Sequence, residues 1–294
     1  MDGTRFLLPP SRGVAAETAH AERLAEWLSG WLGVACAVDV APNYAAVRTA
    51  ALDATHDVVW APPVICGHIA GSVRSTLTAV RDRSTSSSAA LLVRKDGDIR
   101  QLSDLEGTRA AWVDKLSMGG YRSAFALLCQ RGFQPSALFR AQGFCGSYRD
   151  AILAVAAGHA ELTSVYGRID ANESDIADTL EDMVGDPALR LLCRTPPAPY
   201  DALVITQRMS EADATDLEQR VLDLRPRARA RWQRRAAASM PVGGLCTAGR
   251  LGLRLARARG AQPRPRAVGP LGRCSLSFAS HLVPPPGHDP WARS

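Results

Sequence analysis

Strand-like and helix-like segments alternate along residues 1–224 of this 294-residue chain, and this alternation is the feature that most restricts its fold. Short apolar or β-rich runs predict strands at 5–10, 34–41, 57–63, 89–95, 108–114, 160–167 and 201–209. Segments with apolar side chains at three-to-four spacing predict helices at 15–32, 43–54, 118–131 and 147–158. Strands that alternate with helices form βαβ units around a largely parallel sheet. We therefore expect an α/β protein, and the number of elements fits two lobes.

Charge separates this part of the chain from segment 225–294. That segment holds 14 of the 35 basic residues, all of them Arg, and one of the 29 acidic residues, which gives it a net charge of +13. The remaining 21 basic and 28 acidic side chains give residues 1–224 a net charge of −7. The overall basic charge therefore does not predict nucleic-acid binding by the folded part.

Segment 225–294 is rich in Arg, Ala, Gly and Pro and lacks sustained periodicity. Three interpretations remain open: a basic arm for nucleic acid or membrane, an ordinary disordered tail, or the product of a frameshift. The abrupt change of composition after what looks like a final helix favours the frameshift. We expect truncation near residue 240 to leave stability and ligand affinity unchanged.

Catalytic and metal-binding motifs are missing. The seven cysteines form no CxxC pair and have no zinc-like spacing, so we expect buried, reduced thiols and neither metal nor cofactor. The sequence contains no GxSxG, no P-loop, no GxGxxG and no HExxH. By elimination, the chain is expected to bind a ligand rather than to catalyse a reaction.

The N-terminal stretch "MDGTRFLLPPS" lacks the basic region and the long apolar run of a signal peptide. No segment approaches the about 20 apolar residues of a membrane span. As written, the chain is therefore expected to be cytoplasmic.

The stretch "DKLSMGGYRSAF" places a serine and two glycines between a predicted strand and a predicted helix. The first N–H groups of a helix are unpaired and its N-terminal end is electropositive, which favours an anion. Ser117 can cap the helix or donate to an oxyanion, while Gly119 and Gly120 allow close approach to the backbone. Tyr121 follows as a further candidate. A plain helix cap and an anion cradle both fit this pattern.

A second stretch, "GFCGSYRDAI", repeats the arrangement with Ser147 and Tyr148 at a helix start. Arg149 follows, and either contact with an anion or simple exposure to solvent fits it. Two serine-bearing helix starts within one lobe favour a shared cleft.

Aromatic residues supply the remaining candidates for ligand contact. Trp60 stands at the carboxyl end of a predicted strand, where open α/β sheets bind ligands. Tyr44, Tyr121 and Tyr166 are similar candidates. Each of these residues could instead simply fill the core.

With these segments in view, the chain resembles the substrate-binding proteins of phosphate, phosphite and phosphonate ABC transporters. "HDVVWAPP" is similar to the family's "hDlaWaPP", and "GSYRDAILAVAAGHAE" to its "gSH...i.aV..G.aD". "DIRQLSDLEGTRAAWVDKLSMGGYRSAFALLCQRGFQPSALF" resembles the family's strand, its "S.SGY" helix start and its "L...G.dP..lF" run. The similarity covers about residues 4–224 in order.

The resemblance implies a type 2 periplasmic-binding-protein fold with mixed, mostly parallel sheets and a central cleft. Lobe 1 would contain 1–88 and 198–224, and lobe 2 would contain 89–197. Crossover strands near 88–92 and 200–204 would let the lobes close on the ligand.

The implied function is capture of a small oxyanion (phosphonate, phosphite or phosphate-like) by a transporter component or a sensor. The expected ligand contacts are Ser117, Gly119, Gly120, Tyr121, Ser147, Tyr148, Trp60, Tyr44 and Tyr166. An ABC-transporter permease is the expected partner, the chain is expected to be a monomer, and a start codon upstream would make it periplasmic.

The chain departs from the family pattern at three positions. Gly119 replaces the second serine of the cradle, Tyr148 replaces a histidine, and Tyr166 replaces an acidic residue found in many relatives. No carboxylate for an ammonium group on the ligand is evident from the sequence. An enzyme on the same fold, similar to chorismate dehydratase and therefore a lyase, is the alternative.

Overall fold

The protein is described by a computed structural model that covers residues 3–81, 84–169, 171 and 173–223 and, for the backbone alone, 254–257. The strands are β1 (Thr4–Leu8), β2 (Cys36–Val40), β3 (Val58–Ala61), β4 (Ser75–Val80), β5 (Ser86–Arg94), β6 (Arg109–Trp112), β7 (Ala141–Phe144), β8 (Leu162–Gly167), β9 (Leu189–Arg194), β10 (Ala198–Pro199), β11 (Ala202–Ile205) and β12 (Arg254–Arg257). The α-helices are α1 (Val14–Leu32), α2 (Tyr44–Leu52), α3 (Pro63–Ile69), α4 (Ser123–Gln130), α5 (Pro135–Leu138), α6 (Tyr148–Ala156), α7 (Glu173–Val184) and α8 (Glu211–Leu222). A 3-10 turn lies at Leu102–Leu105, and a π-helical turn lies at Met118–Arg122.

The first sheet has the strand order β12-β4-β11-β3-β1-β2. β1 is parallel to β2 and β3, as expected for strands joined by helices. β11 is antiparallel to β3 and to β4, between which it lies. Because β11 is the strand by which the chain returns from the second sheet, this return makes the first sheet mixed.

The second sheet has the order β10-β5-β8-β6-β7, and β9 also pairs with β5. β6 is parallel to β7 and β8, whereas β5 is antiparallel to β8, β9 and β10. The chain passes from the first sheet to the second between β4 and β5, and it returns between β10 and β11. The expected α/β class with two mixed sheets is confirmed. The described strands form six antiparallel and four parallel pairings, so the sheets are mixed without being mostly parallel, because β5 and β11 run against all of their partners.

Local sequence explains most of the predicted helices. The predicted helix 15–32 is confirmed as α1, whose buried leucines pack on the first sheet and which ends at Gly33 in the left-handed region, with φ 74°. The predicted cap of α2 is confirmed as well, because the Asn43 side chain accepts a hydrogen bond from the Ala46 N–H at 2.8 Å. None of the helices in the described ranges is long and apolar enough to cross a membrane.

Two local predictions need correction. The segment 34–41 was expected to be buried, but β2 is mostly half-exposed, since among the described strands it pairs with β1 alone and forms the edge of the sheet. The single predicted helix 118–131 is divided into the π-helical turn and α4. The π-helical turn arises where the Arg122 N–H donates to the Ser117 carbonyl at 3.0 Å, five residues back.

The predicted tail lies outside the described residues except for β12. The backbone of β12 pairs antiparallel with β4 at the edge of the first sheet, with Arg254 opposite Val80. The three interpretations of segment 225–294 therefore stay predictions.

Candidate functional site

A cavity of about 50 Å³ lies where the chain crosses between the two sheets. This volume is several times what a single water molecule requires. Most of the lining side chains carry a hydroxyl group. The lining residues are Ser11, Tyr44, Pro62, Arg81, Ser87, Ser88, Ser117, Met118, Gly119, Ser123, Tyr148, Tyr166, Pro199, Tyr200 and Asp201.

Ser117 acts as a helix cap and also lines the cavity. Its side-chain oxygen accepts a hydrogen bond from the Gly120 N–H at 3.1 Å, which caps the π-helical turn. The same oxygen lies 3.2 Å from the Tyr148 hydroxyl oxygen. Because capping uses only a lone pair, the hydroxyl proton of Ser117 remains available for donation. The two interpretations of this helix start are therefore compatible.

The two glycines after Ser117 have different structural roles. A Cβ on Gly119 would lie 2.9 Å from the Tyr148 hydroxyl and 2.9 Å from the Tyr166 Cβ, so glycine is needed at the cavity wall. A Cβ on Gly120 would lie 2.3 Å from a methyl group of Val113. Gly120 is thus required by packing behind the cavity and does not line it.

Two pairs of buried hydroxyl groups converge on the cavity, one from each sheet. In the first pair, the Ser11 hydroxyl oxygen lies 3.3 Å from that of Tyr44, which is the first residue of α2. In the second pair, Ser117 meets Tyr148, which is the first residue of α6. Burial raises the pKa of both tyrosine hydroxyl groups, so both stay protonated and can donate to an anion.

The cavity also contains one cationic and one acidic side chain. The guanidinium of Arg81 lies over the Tyr200 ring, 4.8 Å from its centroid. Asp201 accepts a hydrogen bond from the Trp60 indole N–H at 3.1 Å. Burial raises the pKa of Asp201, although Arg81 and Trp60 act in the opposite direction. The carboxylate that was not evident in the sequence is therefore present at Asp201.

Tyr166 lies on β8 next to Gly119, and both residues line the cavity. Its ring makes an edge contact with Tyr148, with centroids 4.9 Å apart and planes at 84°. Its hydroxyl group is buried and has no hydrogen-bond partner among the described residues. Burial raises the pKa of this hydroxyl, so it too is a protonated donor.

Several predicted site residues have a different position or role. Ser147 is buried, but its oxygen accepts from the Asp150 N–H at 3.1 Å and its hydroxyl donates to the Asp150 carboxylate at 2.6 Å. Tyr121 packs against Trp112 and Phe144 on the far side of the π-helical turn. Neither Ser147 nor Tyr121 lines the cavity.

Trp60 and Arg149 also lie outside the cavity wall. Trp60 is buried and reaches the cavity only through its hydrogen bond to Asp201. Arg149 is exposed on α6. Of the nine predicted contacts, the structure brings five to the cavity, and these are Ser117, Gly119, Tyr148, Tyr44 and Tyr166.

Sequence reasoning missed the lining residues that belong to loops and crossings. Ser11 lies in the β1–α1 loop, and Arg81, Ser87 and Ser88 surround the first crossing. Tyr200 and Asp201 lie at the second crossing. The predicted crossover strands could have pointed to these residues, because residues at a crossing between two lobes lie close to the cleft.

A polar cavity between two mixed α/β sheets, at the points where the chain crosses twice, defines a solute-binding protein of the type 2 periplasmic-binding-protein class. The family described as "ABC transporter, phosphonate, periplasmic substrate-binding protein" matches residues 6–242. The chain belongs to this family, whose members are periplasmic and bind solutes for a transporter. The resemblance noted in the sequence and the expected solute-binding function are confirmed.

Solved structures show the same fold. The chain is similar to a binding protein component of an ABC phosphonate transporter from Pseudomonas aeruginosa, with 16% identity, a TM-score of 0.67 and coverage of 81% of this chain and 78% of that one. It is also similar to PhnD1 from Prochlorococcus marinus in complex with methylphosphonate, with 17% identity, a TM-score of 0.67 and coverage of 88% and 93%. No curated protein matches the chain.

Proposed function

We propose that this protein binds a small phosphorus oxyanion in the cavity between its sheets. This proposal rests mainly on one observation, which is that the Ser11–Tyr44 and Ser117–Tyr148 hydroxyl pairs line the same cavity. Each hydroxyl can rotate its proton toward an anion, and hydrogen bonds to charged oxygens are stronger than those between neutral groups. The methylphosphonate seen in PhnD1 supports the choice of a phosphorus oxyanion.

Three helix starts reinforce these donors. Tyr44 and Tyr148 are the first residues of α2 and α6, and Ser117 precedes the π-helical turn that leads into α4. The N-terminal ends of helices carry partial positive charge, which falls off within the first turn. Arg81 adds a full positive charge at the cavity. These features together favour an anion over a neutral solute.

Binding is proposed to close the two lobes. Lobe 1 is taken as 1–88 with 198–224, and lobe 2 as 89–197, so that each lobe holds one hydroxyl pair. The two links between the sheets are the only described main-chain connections that closure must bend. The protein is proposed to act as a monomer that delivers its ligand to an ABC-transporter permease without turnover.

Ligand binding is tested by melting curves and titration calorimetry with phosphate, phosphite, methylphosphonate and sulfate. A ligand at a hundred times its Kd should stabilise the fold by about 2.7 kcal/mol. We expect at least one phosphorus oxyanion to raise the melting temperature and to reduce the radius of gyration in solution scattering. If all four anions leave both quantities unchanged, the proposed function is wrong.

A further inference from the structure

The Tyr166 hydroxyl is the feature of the cavity that an oxyanion cradle alone does not explain. It is buried without a hydrogen-bond partner among the described residues, whereas the Tyr44 and Tyr148 hydroxyl groups each have a serine partner. A buried hydroxyl that lacks a partner is destabilising. Such a group calls for a ligand atom or a water molecule that accepts its proton.

The position of Tyr166 is fixed by its neighbours. On β8 it pairs with Ala89 of β5 in the interior of the second sheet, and its ring is held against Tyr148. A Cβ on Gly119 would lie 2.9 Å from the Tyr166 Cβ, and both residues line the cavity, so Tyr166 is directly adjacent to Gly119. The hydroxyl group is therefore placed to reach a substituent of a ligand whose oxyanion is bound at Gly119 and Ser117.

The charges near this hydroxyl favour an acceptor on the ligand. The positive charges of Arg12 and Arg81 act on Tyr166 more strongly than the negative charges of Glu17 and Asp201. The Nε atom of Arg12 and the Oε2 atom of Glu17 are also buried without a partner among the described residues, but neither residue lines the cavity, so they do not decide the preference. The Tyr166 hydroxyl could donate to a carboxylate or accept from an ammonium group, and the stronger influence of the positive charges favours the carboxylate.

The carboxylate of Asp201 does not reverse the preference of the cavity for a carboxylate over an ammonium group on the ligand. It is the one acidic side chain of the cavity wall, and its carboxylate already accepts from the Trp60 indole. Arg81, at the same wall, provides a compensating positive charge.

We propose that Tyr166 donates to a carboxylate on the ligand, so that the cavity takes a phosphonate whose short carbon substituent ends in a carboxylate. This inference rests on the proposed function, because the phosphonate end must first occupy the cradle.

The test compares three probes of similar size, namely phosphonoacetate, ethylphosphonate and 2-aminoethylphosphonate. By titration calorimetry, we expect phosphonoacetate to bind at least about tenfold more tightly than ethylphosphonate. This ratio of affinities is what one hydrogen bond to a charged group contributes. Tyr166→Phe should bring the ratio of the two affinities close to one. Tyr121→Phe is the matched control, because Tyr121 lies outside the cavity, and it should leave the ratio unchanged.

The outcomes separate this inference from the proposed function. Tighter binding of 2-aminoethylphosphonate than of phosphonoacetate would overturn it and assign the substituent to Asp201. An equal affinity for phosphonoacetate and ethylphosphonate would also overturn it, and would leave the Tyr166 hydroxyl to a water molecule. If phosphate, phosphite and every phosphonate fail to bind the folded wild-type protein, the proposed function fails as well.

Discussion

The helix starts at Ser117 and Ser147 look alike in sequence but differ in what their hydroxyl groups do. Both serines are buried and both cap the turn that follows. Ser147 is followed three residues later by Asp150, whose carboxylate accepts the hydroxyl proton at 2.6 Å. Ser117 is followed at that spacing by Gly120, which offers no carboxylate, and its hydroxyl oxygen lies 3.2 Å from that of Tyr148 at the cavity. The residue at the third position thus decides whether a capping serine can also serve a ligand.

The main chain adds a second difference. At the start of α6, the Tyr148 N–H donates to the Ser11 carbonyl at 2.9 Å, so the β1–α1 loop occupies this helix terminus. The side chain of Glu17 holds the same loop, because it accepts from the Arg12 N–H at 3.0 Å. At Ser117, by contrast, the neighbouring Gly119 forms part of the cavity wall. The first main-chain N–H group of α6 is therefore used by a loop, whereas the main chain beside Ser117 forms part of the cavity wall.

The largest effect is expected for Gly119→Val, which tests the open wall beside Ser117. The new Cβ would lie 2.9 Å from the Tyr148 hydroxyl and from the Tyr166 Cβ, so both tyrosines must shift. Overpacking costs about 1–3 kcal/mol, and here it also displaces two donors, so we expect affinity for a phosphorus oxyanion to fall about a hundredfold. Gly67→Val is the control, because no atom lies within 4 Å of a Cβ at that position. Calorimetry that shows equal losses for both variants would contradict the cradle.

Glu17→Gln tests the loop that covers the start of α6. Burial raises the pKa of Glu17 from 4.5 to about 7. The folded state therefore holds a proton that the unfolded state releases between these two pH values, so the contribution of Glu17 to stability falls as pH rises from about 4.5 to 7. The shift corresponds to about 3 kcal/mol.

We expect Glu17→Gln to flatten the decline of the free energy of unfolding over this pH window and to stabilise the protein at pH 8. Denaturant unfolding at several pH values measures both effects. Glu22→Gln, on the same helix and exposed, serves as the control. A variant whose pH profile coincides with that of the wild type would show that Glu17 does not titrate in this range.

Ser117→Ala directly tests the difference between the helix starts at Ser117 and Ser147. Loss of a hydrogen bond to a charged oxygen should lower the affinity for a phosphorus oxyanion by about tenfold or more. Loss of the cap should also lower the free energy of unfolding by about 0.5–2 kcal/mol. Calorimetry and melting curves separate the two effects. A lower melting temperature with unchanged affinity would reduce Ser117 to an ordinary cap.

Ser147→Ala should have the smallest effect. We expect the cap to be worth about 1 kcal/mol and the affinity to stay within about twofold of the wild type, since the Ser147 hydroxyl is committed to Asp150. Ser210→Ala is the matched control, because Ser210 caps α8 and donates to Asp213 in the same way at 2.8 Å. If Ser147→Ala lowers the affinity and Ser210→Ala does not, both Ser117 and Ser147 belong to the binding site, and the two helix starts do not differ in this respect.

The sequence predicted the elements whose signals are local. Apolar periodicity located α1, an asparagine cap located the start of α2, and a glycine after Ala157 marked the end of α6. The acidic helix α7 was not predicted, because few of its residues are apolar and only three are buried. Strand β4 was not predicted either, because the Ser- and Thr-rich run from Ser75 to Val80 resembles a turn when its partners are not known.

The site depended more strongly on tertiary structure. Motif positions sufficed to select Ser117, Gly119 and Tyr148, because helix starts after strands gather at one edge of a sheet. Ser11 and Asp201 carried no motif, and only their positions in the β1–α1 loop and at the second crossing bring them to the cavity. Whether a hydroxyl proton is shared with a carboxylate, a tyrosine or a ligand depends on contacts between distant segments. The sequence by itself therefore determined the donors that this protein could offer, whereas tertiary packing decided which of them face a ligand.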